Sequence, residues 1–549
     1  MKKHTVLIYL IIFVLALILR SASLSTLPYG FHVDEAKAGW NAYTILKTGH
    51  DDQGHFLPLY YNSFGDFRPT GIIYLILPTL IFFGNTILAT RLPAALFGAL
   101  SVIPLMLIFG QIARDKDKKW YWIPGLLLTV NPWHLMVSRA TSEVIIALFL
   151  ALFSIYFFVK TIKKATWGTV FWSLFFVGLS YLFYHSIRVI APLFLITMAI
   201  FYWPKIKINQ NLKPILAIIL GSVLLTAIFF WSPQARGRLG QVTLINDPKI
   251  RLETINMPNE EGPGHVLLAR SFHNRPLVIL KNMVNEYSNY FGINFLTGDN
   301  ARPNRYRTQN FGLITYVEFL LIALSLVAAG AKKEVWLVWL LLLISPIPAA
   351  ITNEDTPNLH RALFMIPFLV LLETYGLMYL FSLKKWARFF TITILLALFF
   401  NLIYFAHFYI IHQKFGMPSY YRNGGAKELT AKVYMIHDQY AKVIVTNSPD
   451  SLYPWFGFFN KIEPKSFSQT VNENGNIIWS WKNVTFSNEK CPSEKIAKSK
   501  DKISEKILII DGEGCEIDPI LAKKQNIIKL RDMIRRPDLS NAFVFWEVN

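Results

Sequence analysis

The sequence predicts an all-α polytopic membrane domain over residues 1–412, followed by a small external α/β domain over 413–549. Three observations carry this. Of the 549 residues 53% are hydrophobic and only 16% charged, whereas a soluble domain carries about 25% charged residues. Apolar runs near the ~20 residues that a helix needs to cross hydrocarbon recur as far as residue 411. Beyond 412 those runs stop and charge of both signs returns. The runs lack the alternation of barrel strands, which leaves helix as the spanning structure. The net charge of +20 sits in short clusters between apolar runs, so nucleic acid is excluded as a partner. Two cysteines are too few for a disulfide scaffold or a four-Cys metal site.

The chain opens on Lys2-Lys3 and the apolar run Val6 to Leu19. Ser21-Ala22-Ser23 offers a signal-peptide reading, but Arg20 directly after the run and the many later spans favour a retained helix. Further runs occupy approximately 70–84, 87–112, 120–132, 143–159, 168–184, 186–203, 214–231, 311–330, 335–351, 361–381 and 389–411. Five short connectors are basic: Arg114 to Lys119, Lys160 to Lys164, Lys205 to Lys213, Lys332-Lys333 and Lys384 to Arg388. Cytoplasmic loops carry that excess, so these five and the N-terminus lie inside. Residues 28–69, 131–142, 232–310, 352–360 and the tail after about 412 then lie outside. Loop 28–69 and the basic loop 113–119 must face opposite sides, yet two apolar runs separate them. Arg68-Pro69 before the short run at 70–84 and Gly84-Asn85 after it suit a re-entrant or interfacial helix. That leaves about 11 spanning helices plus interfacial helices, in an integral plasma (inner) membrane protein with a cytoplasmic N-terminus and an extracytoplasmic C-terminal domain. The aromatic residues (Phe 43, Tyr 24, Trp 15) read mainly as lipid-facing and belt material.

In the tail, Glu428 to Tyr440 has helical spacing, while Lys442 to Thr446 and Lys506 to Ile510 read as buried strands. Asn474-Gly475 before Ile477 to Trp481 is a hairpin signal, and Ala542 to Val548 reads as a last strand. Cys491 and Cys515 are either one disulfide on an oxidising face or two buried thiols. Asn483-Val484-Thr485 fits a glycosylation sequon.

The sharpest chemical signal is His32-Val33-Asp34-Glu35-Ala36, just beyond the first helix. Two adjacent carboxylates at a membrane surface are costly to desolvate. One of them can act as general base toward an acceptor hydroxyl or amine, or hold a divalent metal. The bland alternative is a cap, with Asp34 opening a helix Glu35 to Leu46. The same face collects Asp66 and Arg68; Arg91; His134, Arg139 and Glu143; Tyr184, His185 and Arg188; and His360-Arg361. One arginine at a helix end is usually a snorkelling anchor. Five on one side with paired carboxylates point instead to phosphate, which the guanidinium fork bonds at two oxygens. The implied substrate is anionic and membrane-resident: a lipid phosphate or pyrophosphate. A soluble nucleotide sugar is excluded because no Gly-rich phosphate loop is present. The sequence names no certain cofactor. A divalent metal remains open through His32, His55, His265, His273 or His360 with Asp34 or Glu143, although no His-x-x-x-His spacing supports it. Loop 232–310 reads either as a cover that shapes acceptor choice or as a solvated connector.

Several of these segments together resemble the dolichyl-phosphate-mannose–protein mannosyltransferase family and its bacterial relatives, the lipid A aminoarabinose transferases of the GT-C superfamily. They are Asp34-Glu35 after the first helix, Arg68-Pro69 leading into an aromatic-apolar helix, and Arg91-Leu92-Pro93-Ala94-Ala95-Leu96. Asn131-Pro132-Trp133-His134 with Ser138-Arg139, and Ile344-Ser345-Pro346-Ile347-Pro348 running to His360-Arg361-Ala362 and Ile366-Pro367, complete the set. The resemblance covers most of the chain in order, including an external tail. It implies a GT-C-like fold and inverting transfer of a sugar from polyprenyl phosphate to a lipid, glycan or protein acceptor outside the membrane. Asp34 would then deprotonate or orient the acceptor with Glu35 assisting, while Arg139, Arg188 and Arg361 neutralise the departing phosphate. Relatives commonly show His-Pro-Pro or Lys-Pro-Pro where this chain has Phe67-Arg68-Pro69-Thr70, so Arg68 keeps one cation there. Glu143 becomes a second-carboxylate candidate; His32, Asp66, Tyr184, His185 and His360 are further site candidates. Two rivals stand beside this reading. A transporter or flippase of a lipid-linked sugar would favour internal repeats and paired broken helices. A membrane-anchored sensor would work through its tail and lose all function with 413–549.

Overall fold

The computed structural model describes residues 3–208, 211–330, 332–383, 387–447, 450–471, 475, 477–494, 505–515 and 528–548. It consists of many apolar helices and a C-terminal sheet domain. Among the described residues seven helices are long and apolar enough to cross a membrane: Lys3–Ser21, Ile87–Ile112, Glu143–Lys163, Leu212–Trp231, Lys333–Ala350, Leu363–Ser382 and Arg388–His412. Four more apolar helices are shorter: Gly71–Phe83, Trp167–Ser180, Ile187–Phe201 and Tyr316–Ala329. The first of these corresponds to the run read as interfacial. The run at 120–132 does not form one continuous helix. It folds as Ile123–Val130, breaks at Asn131 and resumes as Pro132–Ser138. Proline disfavours helical backbone in the residue before it. Asn131 is accordingly extended (φ −60°, ψ 121°) and its side chain caps the second piece by accepting from the His134 amide.

Contacts divide the chain into two compact units. One comprises Met1–Ala22, Leu59–Ile72 and Ala94–Tyr409; the other comprises Ser23–Pro58, Ile73–Pro93 and Ile410–Asn549. The tail therefore shares a unit with the first loop, a grouping that a composition boundary at 412 does not foresee.

In the first unit, helix α1 (Lys3–Ser21) ends against arginines. Fully buried Arg20 donates to the carbonyls of Ala16, Thr129 and Leu128 and to His134 Nδ1 at 2.8 Å. Segment 232–310 is largely folded, with helices Pro233–Val242, Pro248–Glu260, Val266–Phe272 and Arg275–Asn289. Asp247 and Asn274 cap two of these helices, each followed by a proline in the first turn, the position where a missing N–H costs nothing.

The second unit carries helix α2 (Val33–Thr48) and a seven-stranded mixed sheet of order β4-β5-β6-β3-β7-β9-β8. Its strands are β3 Lys442–Val445, β4 Ser468–Val471, β5 Ile477–Trp481, β6 Val484–Phe486, β7 Ile507–Asp511, β8 Ile528–Arg535 and β9 Asn541–Val548. A separate hairpin in the first unit supplies β1 Tyr60–Ser63 and β2 Asp66–Pro69. Strand β3 lies parallel to both β6 and β7, and these central strands are apolar runs, as expected when both faces are covered. All four expected strand segments and the helix (Ala426–Ile436) are present. The expected hairpin pairs Val471 with Ile477; Asn474 of its turn lies outside the described residues. Cys491 and Cys515 form a disulfide. The sequon residue Asn483 has its amide bound to His437 Nδ1 and to the carbonyls of His437 and Tyr440, so it ties a turn together rather than presenting itself for modification.

Candidate functional site

In the second unit the two adjacent carboxylates have different fates. The N-cap of α2 is His32, not Asp34: His32 Nδ1 accepts from the Asp34 amide, and the Glu35 carboxylate accepts from the His32 amide. This is a reciprocal cap with Glu35 at the third helical position. Glu35 is buried and takes a two-point bond from Arg91, Nε at 2.8 Å and Nη2 at 3.0 Å, and a third from Arg422 Nη2 at 2.5 Å. Arg91 also donates to the carbonyls of Leu24, Pro28 and Gly30, and Arg422 to that of Tyr29. Gly30, at φ +80°, leaves no room for a β-carbon, which would lie 2.5 Å from the Arg422 carbonyl. Loop 23–32 is therefore clamped from both sides. Asp34, at the second helical position, stays partly exposed with its carboxylate 3.5 Å from His32 Nδ1. One turn on, buried Lys37 contacts Asp52 and Tyr453, and Tyr453 donates to the same Asp52 oxygen at 2.9 Å. The underside of α2 packs on Tyr453–Phe459, where Gly457 admits the ring of Trp40.

The first unit holds the other candidates. Its β1–β2 hairpin turns at Phe64-Gly65, both at positive φ (55° and 89°), a tight turn that matches the strand twist. Asp66 and Arg68 thus come to one strand. Asp66 pairs with Arg68 at 2.9 Å and with Arg238 at 3.0 Å; Arg238 pairs with Glu354 at 2.9 Å, and Glu354 also contacts Arg361. The result is a string of three guanidiniums and two carboxylates. Burial would raise the Glu354 pKa, but Arg238 and Arg361 hold it below the usual carboxylate value. Arg361 also donates to Thr352 Oγ1 and to the Glu354 carbonyl. Beside it, His360 bonds Ser142 at 2.9 Å and Tyr184 at 3.3 Å, and its ring stacks on Tyr306. Glu143 follows Ser142 at the start of helix Glu143–Lys163.

Two arginines expected to meet phosphate are held by backbone carbonyls. Arg139 donates to the carbonyls of Leu19 and Ala22, both at 2.6 Å, and to the Tyr409 hydroxyl at 3.3 Å; it closes the end of α1. Arg188 is fully buried, holds the Tyr181 carbonyl at 2.8 Å, and lies over the rings of Tyr60 and Phe229. It also faces His185 Nδ1 at 3.0 Å. A guanidinium can only donate, so Nδ1 accepts and the ring proton sits on Nε2, which donates to the Phe67 carbonyl at 3.1 Å. Burial, then the Arg188 charge, lower the His185 pKa from 6.5 to about 3.

That shift has a sign. Between those two values the unfolded chain binds more protons than the folded one, so stability falls as pH falls. The contribution of neutral His185 is complete above 6.5 and drains toward about 3. The melting temperature of the purified chain should decline from pH 7 to 4.5, and decline less for His185→Gln, which keeps an acceptor for Arg188 and an N–H for Phe67. Equal slopes would remove His185 as the cause.

Among the described residues no three His, Cys, Asp or Glu side chains gather into a metal-holding group. Around Asp34 the donor set is His32 and Asp34, and His32 Nδ1 is already an acceptor for the Asp34 amide. Catalytic zinc sites supply three protein ligands, so His32 and Asp34 alone do not make one.

Sequence reading missed Arg238, Glu354 and Arg422 altogether, and it placed Arg91 on this face without a partner. Their partnerships join positions from 7 to 387 residues apart, and no local pattern announces such pairs.

No family model matches the sequence, and no curated protein matches it. Among solved structures, the chain is similar to the oligosaccharyltransferase AglB of Archaeoglobus fulgidus in complex with an inhibitory peptide and a dolichol-phosphate. Identity is 14% and the TM-score 0.48, over 83% of this chain and 63% of that one. The apo form of the Archaeoglobus fulgidus oligosaccharyltransferase gives the same identity and score over 99% of this chain and 74% of that one. ArnT of Cupriavidus metallidurans bound to undecaprenyl phosphate gives 11% and 0.44, over 99% and 98%. This chain thus spans less than two thirds of the AglB chain in the first complex. At these values the likeness is one of chain course and says nothing of individual residues.

Proposed function

We propose that this chain is an inverting glycosyltransferase that moves a sugar from a polyprenyl-phosphate donor to an acceptor at the outer face of the plasma membrane. The observation that carries the reading is the split between Asp34 and Glu35. Glu35 is a buried counter-ion that fixes the loop, whereas Asp34, on the same rigid helix start, remains partly exposed. A positioned carboxylate of that kind is what a general base requires.

In the proposed step the Asp34 carboxylate takes the proton of the acceptor hydroxyl or amine. The acceptor atom bonds to the sugar's anomeric carbon as that carbon's bond to the phosphate oxygen breaks. The electron pair leaves with the polyprenyl phosphate, whose negative charge guanidinium groups would neutralise. Glu35, Arg91 and Arg422 position the base; Arg139 and Arg188 hold backbone. Glu143, His360 and Tyr184 are candidates for acceptor or donor contacts. The basic connectors support a cytoplasmic N-terminus, and the Cys491–Cys515 disulfide supports an oxidising compartment for the tail.

The test is the purified chain in proteoliposomes with radiolabelled polyprenyl-phosphate sugars and a panel of lipid, glycan and peptide acceptors. Label should move to one acceptor class with release of polyprenyl phosphate. Label that crosses the bilayer still on its lipid would replace the transferase with a flippase.

A further inference from the structure

The folded segment 244–289 leaves more apolar surface outside than its own core uses. Leu244, Ile250 and Val278 form a small core with Ile279 and Met283 packed against it. On helix Arg275–Asn289 a second stripe, Leu277, Leu280 and Val284, stands exposed at spacings of three and four. Helix Pro248–Glu260 exposes Leu252 and Ile255, and helix Val266–Phe272 exposes Leu267 (89%), Leu268 and Phe272 (67%). Some charged groups here are paired: Lys281 with Glu253 at 2.8 Å, Arg275 with the Ile245 carbonyl, and, just past two helix ends, His273 with Glu261 at 3.1 Å. Contiguous large apolar side chains from three helices exceed what a solvated connector exposes.

The same unit contains a membrane-crossing helix, Leu212–Trp231, with Leu220, Leu224, Ile228 and Trp231 (81%) exposed. It ends on a tryptophan, the residue that marks a bilayer interface. The chain then enters the exposed helices after one intervening helix, Pro233–Val242. We infer that helices 248–260, 266–272 and 275–289 rest in the interfacial layer of the bilayer at the Trp231 end of that span, their exposed stripes against lipid acyl chains. Lipid, rather than a second protein, is the occupant because these helices follow an exposed apolar helix long enough to cross a membrane, with one short helix between. The Lys281–Glu253 pair and the Arg275 contact supply part of the polar side of an interfacial amphipathic array. The inference is independent of the transferase reading.

Single cysteines at Leu267, Phe272 and Leu280, each carrying an environment-sensitive fluorophore, test it in the full chain in phosphatidylcholine nanodiscs. Lys281→Cys on the paired side is the control. Nitroxide placed shallow in the acyl chains should quench the first three probes at least several-fold more than the control, while aqueous iodide should do the reverse. Probes at 267, 272 and 280 as open to iodide as the control would overturn the inference. Cross-linking of two copies through Leu267→Cys would also overturn it, because it would make the stripe a protein interface. All four positions are exposed, and monodisperse elution with unchanged tryptophan emission confirms that each variant is folded.

Discussion

If Asp34 is the proposed base, Asp34→Asn is expected to lower sugar transfer by about 10²- to 10⁴-fold, the range that positioned general-base catalysis contributes, while donor binding and melting temperature stay close to wild type. The stability half follows from position. Asp34 is the second residue of α2 and partly exposed; losing one charge at a helix N-terminus costs about 0.3–1 kcal/mol. The cap survives, because His32 Nδ1 accepts from the Asp34 backbone amide and Glu35 from the His32 amide. The activity half follows from the chemistry. An amide cannot accept the acceptor's proton, so kcat falls while the affinity for polyprenyl phosphate does not. Transfer at wild-type rates in this variant would eliminate Asp34 as the base. Loss of donor binding with transfer would move Asp34 to a donor-holding role.

The fold class was legible because hydrocarbon imposes long apolar runs, and the tail because its strands alternate with turn residues. The candidate site was legible only as residue types. His32-Val33-Asp34-Glu35 announced a carboxylate pair at the end of the first loop, but nothing local told which carboxylate would be buried. That was decided by Arg422, 387 positions away, and by Arg91, 56 away. The partners of Arg139 and Arg188 were as little announced. They were grouped as cations of one face, and the structure shows them donating to the carbonyls of Leu19, Ala22 and Tyr181; a buried carbonyl without a donor costs about as much as a lost hydrogen bond. Arg238, unremarked in a loop read as cover or connector, joins the ion string because that loop folds. A run of hydrophobicity reports solvent directly, whereas an arginine's partner is a property of the packed chain.

Glu35→Gln is expected to damage the fold rather than the chemistry. The substitution keeps the side chain's size and leaves one oxygen to accept from Arg91, but it removes the negative charge that pairs with both Arg91 and Arg422. Both guanidiniums are almost wholly buried. Breaking a buried ion pair from one side costs about 3–5 kcal/mol, because the charge left behind has no counter-charge and no water. Here two are left. Loop 23–32 should loosen with them, since Arg91 ties Leu24, Pro28 and Gly30, and Arg422 ties Tyr29. Thermal unfolding, together with protease cleavage within residues 23–32, measures this. Melting should fall by several degrees and cleavage should appear in that loop, with transfer lost in proportion to unfolded protein. Glu35→Gln combined with Arg91→Met should then recover part of the stability, because one orphaned charge leaves with its partner. If Glu35→Gln instead melts like wild type and still abolishes transfer, Glu35 rather than Asp34 carries the proton, and the division of labour between the two carboxylates is reversed.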